Sequence, residues 1–281
     1  MPVPNNMRSL FKQIFVWLGI MACLTLLAMG LWVLCNDDSQ STQSLKWLQF
    51  AQTIGTFLLP PILCAWIWDV NHKPLSWLRL DKGADWRLFL LAIGMMMCAL
   101  PAINLLADLN SRIELPESLD FIEQKLKAFE AQAALLTERF LQADNSWQVL
   151  LNIGLMALLP ALAEELSFRG TLQQILGNKH VAIWITAIIF SAIHMQFYGF
   201  IPRMLMGAMF GYIFVWSGCL WVPITMHFVN NTLAVLAYTI FGTETSYADT
   251  IGAGATCWLG VLSLVLTSLG LLIFYHRTRK Q

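Results

Sequence analysis

LPALAEELSFRGTLQ, residues 159–173, sets two adjacent carboxylates, Glu164 and Glu165, at the end of an apolar run, with Arg169 four residues behind the second. In a helix Glu165 and Arg169 are i,i+4 and can pair on one face, whereas Glu164 points about 100° away and has no local partner. Whether this is the solvated end of a helix or a charge cluster inside a membrane depends on the rest of the chain. Of 281 residues 57% are hydrophobic and only 12% charged, roughly half the charge of a soluble globule. The composition therefore describes a polytopic membrane protein, all-α, and leaves both readings of the cluster open.

Lys+Arg and Asp+Glu both number 17. Zero net charge without a basic cluster gives no reason to expect a nucleic-acid partner. The six cysteines (Cys23, Cys35, Cys64, Cys98, Cys219, Cys257) are scattered without a C-x-x-C pair, which reads as free thiols. Arg8 and Lys12 precede an apolar run, Ile14 to Leu34, too long for a signal-peptide core and so read as the first span.

With about 20 apolar residues per span, candidates fall at 14–35, 48–69, 87–108, 147–168, 181–199, 203–217, 221–241 and 254–275, about eight transmembrane helices with the sixth short. Basic residues precede span 1, fill the second loop (His72, Lys73, Arg79, Lys82, Arg87) and end the chain in HRTRK. By the positive-inside rule both termini and the 71–86 loop are cytoplasmic, while 110–146 and 242–253 are external. The charged segment 110–146 carries Leu119, Ile122, Leu126, Phe129, Ala133, Leu136 and Phe140 at alternating steps of three and four. That spacing predicts an amphipathic helix outside the bilayer core. The chain divides into 1–110, an N-terminal three-span region; 111–146, the amphipathic helix; 147–241, a core; and 242–281, a last span and tail. No internal repeat is expected.

Ionisable groups inside spans are costly and usually functional, and here they concentrate in 164–231: Glu164, Glu165, Arg169, His194, Arg203 and His227, with Asn230 and Asn231. Phe190 and His194 share one helical face, and so do His227 and Asn231. Alone, each pair would pass for a polar contact between packed helices. Together they provide a carboxylate to take a proton from water and N–H groups to hold an oxyanion. A non-enzymatic reading, a proton-coupled transporter or immunity factor using the same Glu/His cluster, competes with this one.

The order E-E-x-x-x-R, F-x-x-x-H, H-x-x-x-N over roughly 145–241 resembles the CPBP family of intramembrane proteases, which includes the type II CAAX prenyl endopeptidases and the bacteriocin-processing or immunity (Abi) proteins. The resemblance implies an endopeptidase acting on a hydrophobic or membrane-associated peptide or protein, in a bacterial cytoplasmic membrane. It implies that Glu164 is the general base, with Glu165 and Arg169 completing its motif. It makes His194 the holder of the nucleophilic water and His227 with Asn231 the oxyanion pair; Phe190 and Arg169 are supporting residues. The family is often described as metalloproteases, and Glu164, His194 and His227 would supply three ligands to zinc. Without an H-E-x-x-H, a metal-free glutamate mechanism is the favoured expectation. Counting along antiparallel helices from the turn near Asn178 lets Glu164 and His194 face each other. His227, only a few residues past the connector SGCLWVP, belongs near the opposite membrane face unless that connector dips inward or the span limits are wrong.

Overall fold

A computed structural model describes residues 7–35, 41–69, 71–177, 179–242 and 251–279. Every regular element among them is helical. Seven helices are long and apolar enough to cross a bilayer: α1 (Met7–Cys35), α2 (Thr42–Trp68), α4 (Trp86–Ser111), α6 (Ser146–Leu176), α8 (Phe200–Ser217), α9 (Trp221–Phe241) and α10 (Cys257–Thr278). An eighth apolar helix, α7 (His180–Ala192), ends short. The expected span 181–199 is corrected accordingly: residues 193–199 are non-helical, and the 13 residues of α7 rise only about 20 Å. The short α3 (Pro74–Trp77) and the amphipathic α5 (Asp120–Leu141) complete the set.

The exterior is lipid-like. Leu262, Val265, Leu269 and Leu272 of α10 are all about half exposed. Buried polar groups face inward, as a bilayer requires. α4 and α10 show how closely the helices approach. Pro101 interrupts the α4 ladder, and the Ser263 hydroxyl enters it, accepting from Ala102 N at 3.0 Å and donating to Cys98 O. Gly260 and Gly270 sit where a Cβ would lie within 2.7 Å of Leu105 and Met95 side-chain atoms.

Prolines also explain two π-turns. In α2 the π segment Thr53–Leu58 precedes Pro60-Pro61, and in α6 Ile153–Leu158 precedes Pro160. A proline cannot bond the carbonyl four residues back, and widening that turn relieves the clash. In α2 the carbonyl so released, Phe57 O, accepts from Ser167 Oγ of α6 at 2.9 Å. The two spans share I-G-x-x-x-L-x-P-x-L at residues 54–63 and 153–162, a local correspondence where no repeat was expected. A further tie joins them where Lys46 Nζ donates to Asn152 Oδ1 at 2.8 Å.

Loop contacts settle which segments share an end of the bundle. Leu220 N donates to Arg79 O, Trp221 Nε1 to Leu80 O and Gln174 Nε2 to Trp77 O, so the second loop lies with the connector 218–220 and the end of α6. At the other end Asn110 Nδ2 donates to Phe197 O, Tyr198 N to Glu130 Oε2 and Tyr238 Oη to Glu138 O, which sets α5 over the 193–199 turn. The stripe of α5 is uneven: Phe140 is buried, while Ile122 and Phe129 remain exposed. Residues 243–250, most of the 242–253 loop, lie outside the described residues.

Candidate active site

Glu165, Arg169 and Gln173 recur every fourth residue on α6 and form a buried polar column with no exposed surface. Arg169 Nη1 donates to Glu165 Oε1 at 2.7 Å and its Nη2 to Gly207 O at 2.8 Å; Gln173 Nε2 donates to Gly211 O at 3.1 Å. The guanidinium is flanked by the rings of Phe190 (4.7 Å) and Phe210 (5.4 Å). Only glycines let α8 come this near: a Cβ at Gly207 would meet Phe190 Cδ1 at 3.2 Å, and one at Gly211 would meet Gln173 Oε1 at 2.7 Å. The G-x-x-x-G of residues 207–211 is the sequence signal for this contact, and it went unread.

A π-turn, Phe168–Gln173, follows the two glutamates. Glu165 Oε1 also accepts from His227 Nδ1 of α9 at 2.9 Å. A carboxylate already pinned by a guanidinium is an acceptor, so His227 donates Nδ1–H to it and turns Nε2 toward the site. That Nε2 lies 3.9 Å from Glu164 Oε2, and the Glu164 side chain keeps 15% of its surface exposed. The two glutamates thus divide their roles. Glu165 is locked in a charge pair, and Glu164 faces the imidazole without an ion-pair partner of its own at bonding distance.

His227 meets Glu165 at the start of a helix whose preceding connector is itself covered by protein. Cys219 and Leu220 are wholly buried beneath the second loop, with Leu220 packed on Leu78 and Leu166, and Cys219 Sγ bonds Lys82 O.

His194 stands in the turn after α7 and donates Nδ1–H to Phe190 O at 2.7 Å. Among the described residues it makes no hydrogen bond to Glu164, Glu165 or His227; the Phe190 ring packs edge-to-face with both imidazoles, its centroid 5.1 Å from that of His194 and 6.0 Å from that of His227. Asn231, one turn past His227, accepts from Asn230 Nδ2 at 3.1 Å through Oδ1, leaving its own Nδ2 a donor. The structure therefore joins Glu164, Glu165, Arg169, Phe190 and His227 directly, and sets His194 and Asn231 beside them.

Arg203 had no assigned role in the sequence reading. It lies one turn before Gly207 on α8, where Gly199 leaves room for its guanidinium. Its Nη2 donates to Gln196 Oε1 at 2.5 Å, its Nη1 is buried without a hydrogen-bond partner, and its charge acts on Glu164, Glu130 and His194.

Among the described residues no three His, Cys, Asp or Glu side chains converge as metal ligands. Two surface clefts, of about 810 Å³ between His180, Trp216, Tyr275 and Arg279 and about 510 Å³ between Glu114, Asp120, Glu123 and Tyr198, do not include the cluster.

This is a cluster of buried polar and ionisable side chains enclosed by helices long and apolar enough to cross a bilayer. A family model, type II CAAX prenyl endopeptidase Rce1-like, matches residues 146–233, the stretch holding all three motifs, and supports CPBP family membership. A curated relative, "Uncharacterized protein YpbD" of Bacillus subtilis (strain 168), is 35% identical over 82 residues, covering 28% of this chain and 41% of the relative. The chain thus spans about two fifths of that relative's length. No solved structure matches.

Proposed function

We propose that the protein is an intramembrane endopeptidase of the CAAX-protease type that hydrolyses a peptide bond in a hydrophobic or membrane-associated substrate. The observation that carries this reading is the 3.9 Å gap between Glu164 Oε2 and His227 Nε2, with His227 fixed from behind by Glu165. A water about 2.8 Å from each atom bridges that gap with an angle of about 90° at its oxygen. It gives hydrogens to a carboxylate and an imidazole lone pair and turns its own lone pair outward.

Attack of that oxygen on the scissile carbonyl sends one proton to Glu164 and the π electrons to the carbonyl oxygen. Collapse of the tetrahedral intermediate expels the amine, which takes the proton back from Glu164. His194 flanks the water on the Phe190 side. Glu165 and Arg169 position His227 as a carboxylate positions a catalytic imidazole elsewhere. The resemblance implied that His227 and Asn231 jointly hold the oxyanion; with Nδ1–H given to Glu165, the donor in that pair is Asn231.

The substrate is a peptide or protein, the other partner the lipid bilayer, and the setting a bacterial cytoplasmic membrane with both termini inside. The test is incubation of the detergent-purified protein with a peptide library, wild type against Glu164→Ala. Fragments produced by wild type alone are expected; equal cleavage by both proteins, or none by either, removes the reading.

A further inference from the structure

We propose that Arg203 is a catalytic residue of this site, supplying through Nη1 the cationic hydrogen bond that holds the tetrahedral oxyanion. The inference rests on the endopeptidase reading and deepens it. Its starting point is a shortage of donors. Both imidazoles spend their Nδ1–H on protein acceptors, His227 on Glu165 Oε1 at 2.9 Å and His194 on Phe190 O at 2.7 Å. Neither imidazole therefore has an Nδ1–H left to give an oxyanion. Arg169 commits Nη1 to Glu165 and Nη2 to Gly207 O, and its unpartnered Nε belongs to a side chain with no exposed surface that a substrate could reach. Asn231 Nδ2 remains, a neutral donor on the α9 side.

Arg203 answers the shortage from the α8 side. A guanidinium nitrogen buried without a partner is costly unless a ligand completes it, and at membrane depth such a group is functional by default. Gln196 Oε1 grips Nη2 at 2.5 Å, so the fork is held before any substrate arrives. No carboxylate lies within ion-pair distance of it among the described residues; its charge acts first on Glu130 of α5 and then on Glu164. A cation that no carboxylate pairs is available for charge that appears only during reaction. When the water oxygen bonds to the carbonyl carbon and its proton moves to Glu164, the C=O electron pair becomes an oxyanion that Arg203 Nη1–H and Asn231 Nδ2–H receive. When the amine leaves, the pair returns to the carbonyl and the guanidinium is again unpartnered. A preorganised donor of this kind favours the transition state over the bound substrate.

The experiment compares Arg203→Gln and Arg203→Lys with wild type on a peptide that wild type cleaves. Loss of one oxyanion donor costs about 10²–10³-fold in kcat, so Arg203→Gln should fall by that much with KM changed less than about threefold. Arg203→Lys, which keeps the charge but not the fork, should recover part of the loss. A second measurement serves if Arg203→Gln does not fold: binding of a peptide phosphinate, a tetrahedral anion, and of the neutral hydroxyethylene peptide of the same sequence. Arg203→Lys should weaken the phosphinate at least tenfold more than the neutral analogue. Unchanged kcat, a loss confined to KM, or equal weakening of the two analogues overturns the proposal while leaving the endopeptidase reading intact. Failure of the wild type to cleave any peptide overturns both.

Discussion

Replacing Glu165 by Gln removes the negative charge that two donors share at the centre of the bundle. Arg169 and Glu165 have no exposed side-chain surface, and the charge sits 2.7 Å from Arg169 Nη1 and 2.9 Å from His227 Nδ1. Breaking one half of a buried pair typically costs 3–5 kcal/mol because the surviving charge is left uncompensated. Gln retains one carbonyl oxygen, and Arg169 keeps Gly207 O and the faces of Phe190 and Phe210, so the expected loss is at the lower end, about 3 kcal/mol. That is roughly two orders of magnitude in the folding equilibrium. The double variant Glu165→Gln/Arg169→Met removes the stranded cation as well and should recover most of the stability, since an apolar replacement of a buried pair is often neutral. It should not recover peptide cleavage, because His227 still lacks its orienting carboxylate. Unfolding in dodecyl maltoside, followed by the fluorescence of the 12 tryptophans, measures the first quantity and peptide cleavage the second. A single variant that loses less than about 1 kcal/mol, or a double variant no more stable than the single, would refute the claim that Glu165 chiefly neutralises Arg169.

Glu164→Gln should abolish cleavage with stability almost unchanged, since its nearest ionic neighbour is His227 at 3.9 Å; unfolding that shifts as far as in Glu165→Gln would count against a catalytic assignment. Arg169→Lys should cost stability before chemistry, because an ammonium cannot reach Glu165 and Gly207 O while lying between two rings, and its activity should exceed that of Glu164→Gln. Gly211→Ala sets a Cβ 2.7 Å from Gln173 Oε1 and 2.8 Å from Ile183 Cγ2, so a destabilisation of about 1–3 kcal/mol is expected; an unchanged melting temperature would mean that α8 shifts freely. On a cysteine-free background, Cys at Ser76 and at Ser118 should label from opposite sides of the membrane, with Ser118 outside. The matching probe at Thr245 lies outside the described residues.

The pairing of Glu165 with Arg169 was legible because an i,i+4 relation lies within one helix, and the membrane class because it follows from composition. The partner of His227 was not. Counting residues put His227 near the opposite face of the bilayer, whereas it meets Glu165 just past a connector whose Cys219 and Leu220 are buried beneath the second loop. Helix rise along the chain is a local quantity, whereas the setting of a connector depends on what packs over it, here Leu78 from much earlier in the chain. Arg203 escaped for a related reason: it belongs to no spaced pair, and its meaning rests on an unmet hydrogen bond that one-dimensional spacing does not express. The end of α7 at Ala192, by contrast, falls one residue before the apolar run stops at Ile193, so the expected span 181–199 overran a limit that the sequence marks.

The π-turn at Ile153–Leu158 acts as a phase shifter. It holds one residue more than the same length of α-helix, so everything after it is rotated by about 100° relative to the half of α6 before it. The earlier half is anchored by the Asn145 cap and the Asn152 bond to Leu141 O, and Pro160 keeps the widened turn from closing. Deleting Leu155 would restore an ordinary helix without altering a single ionisable group. Glu164 and Glu165 would then swing away from His227 together, and the composition of the site would survive while its azimuth was lost.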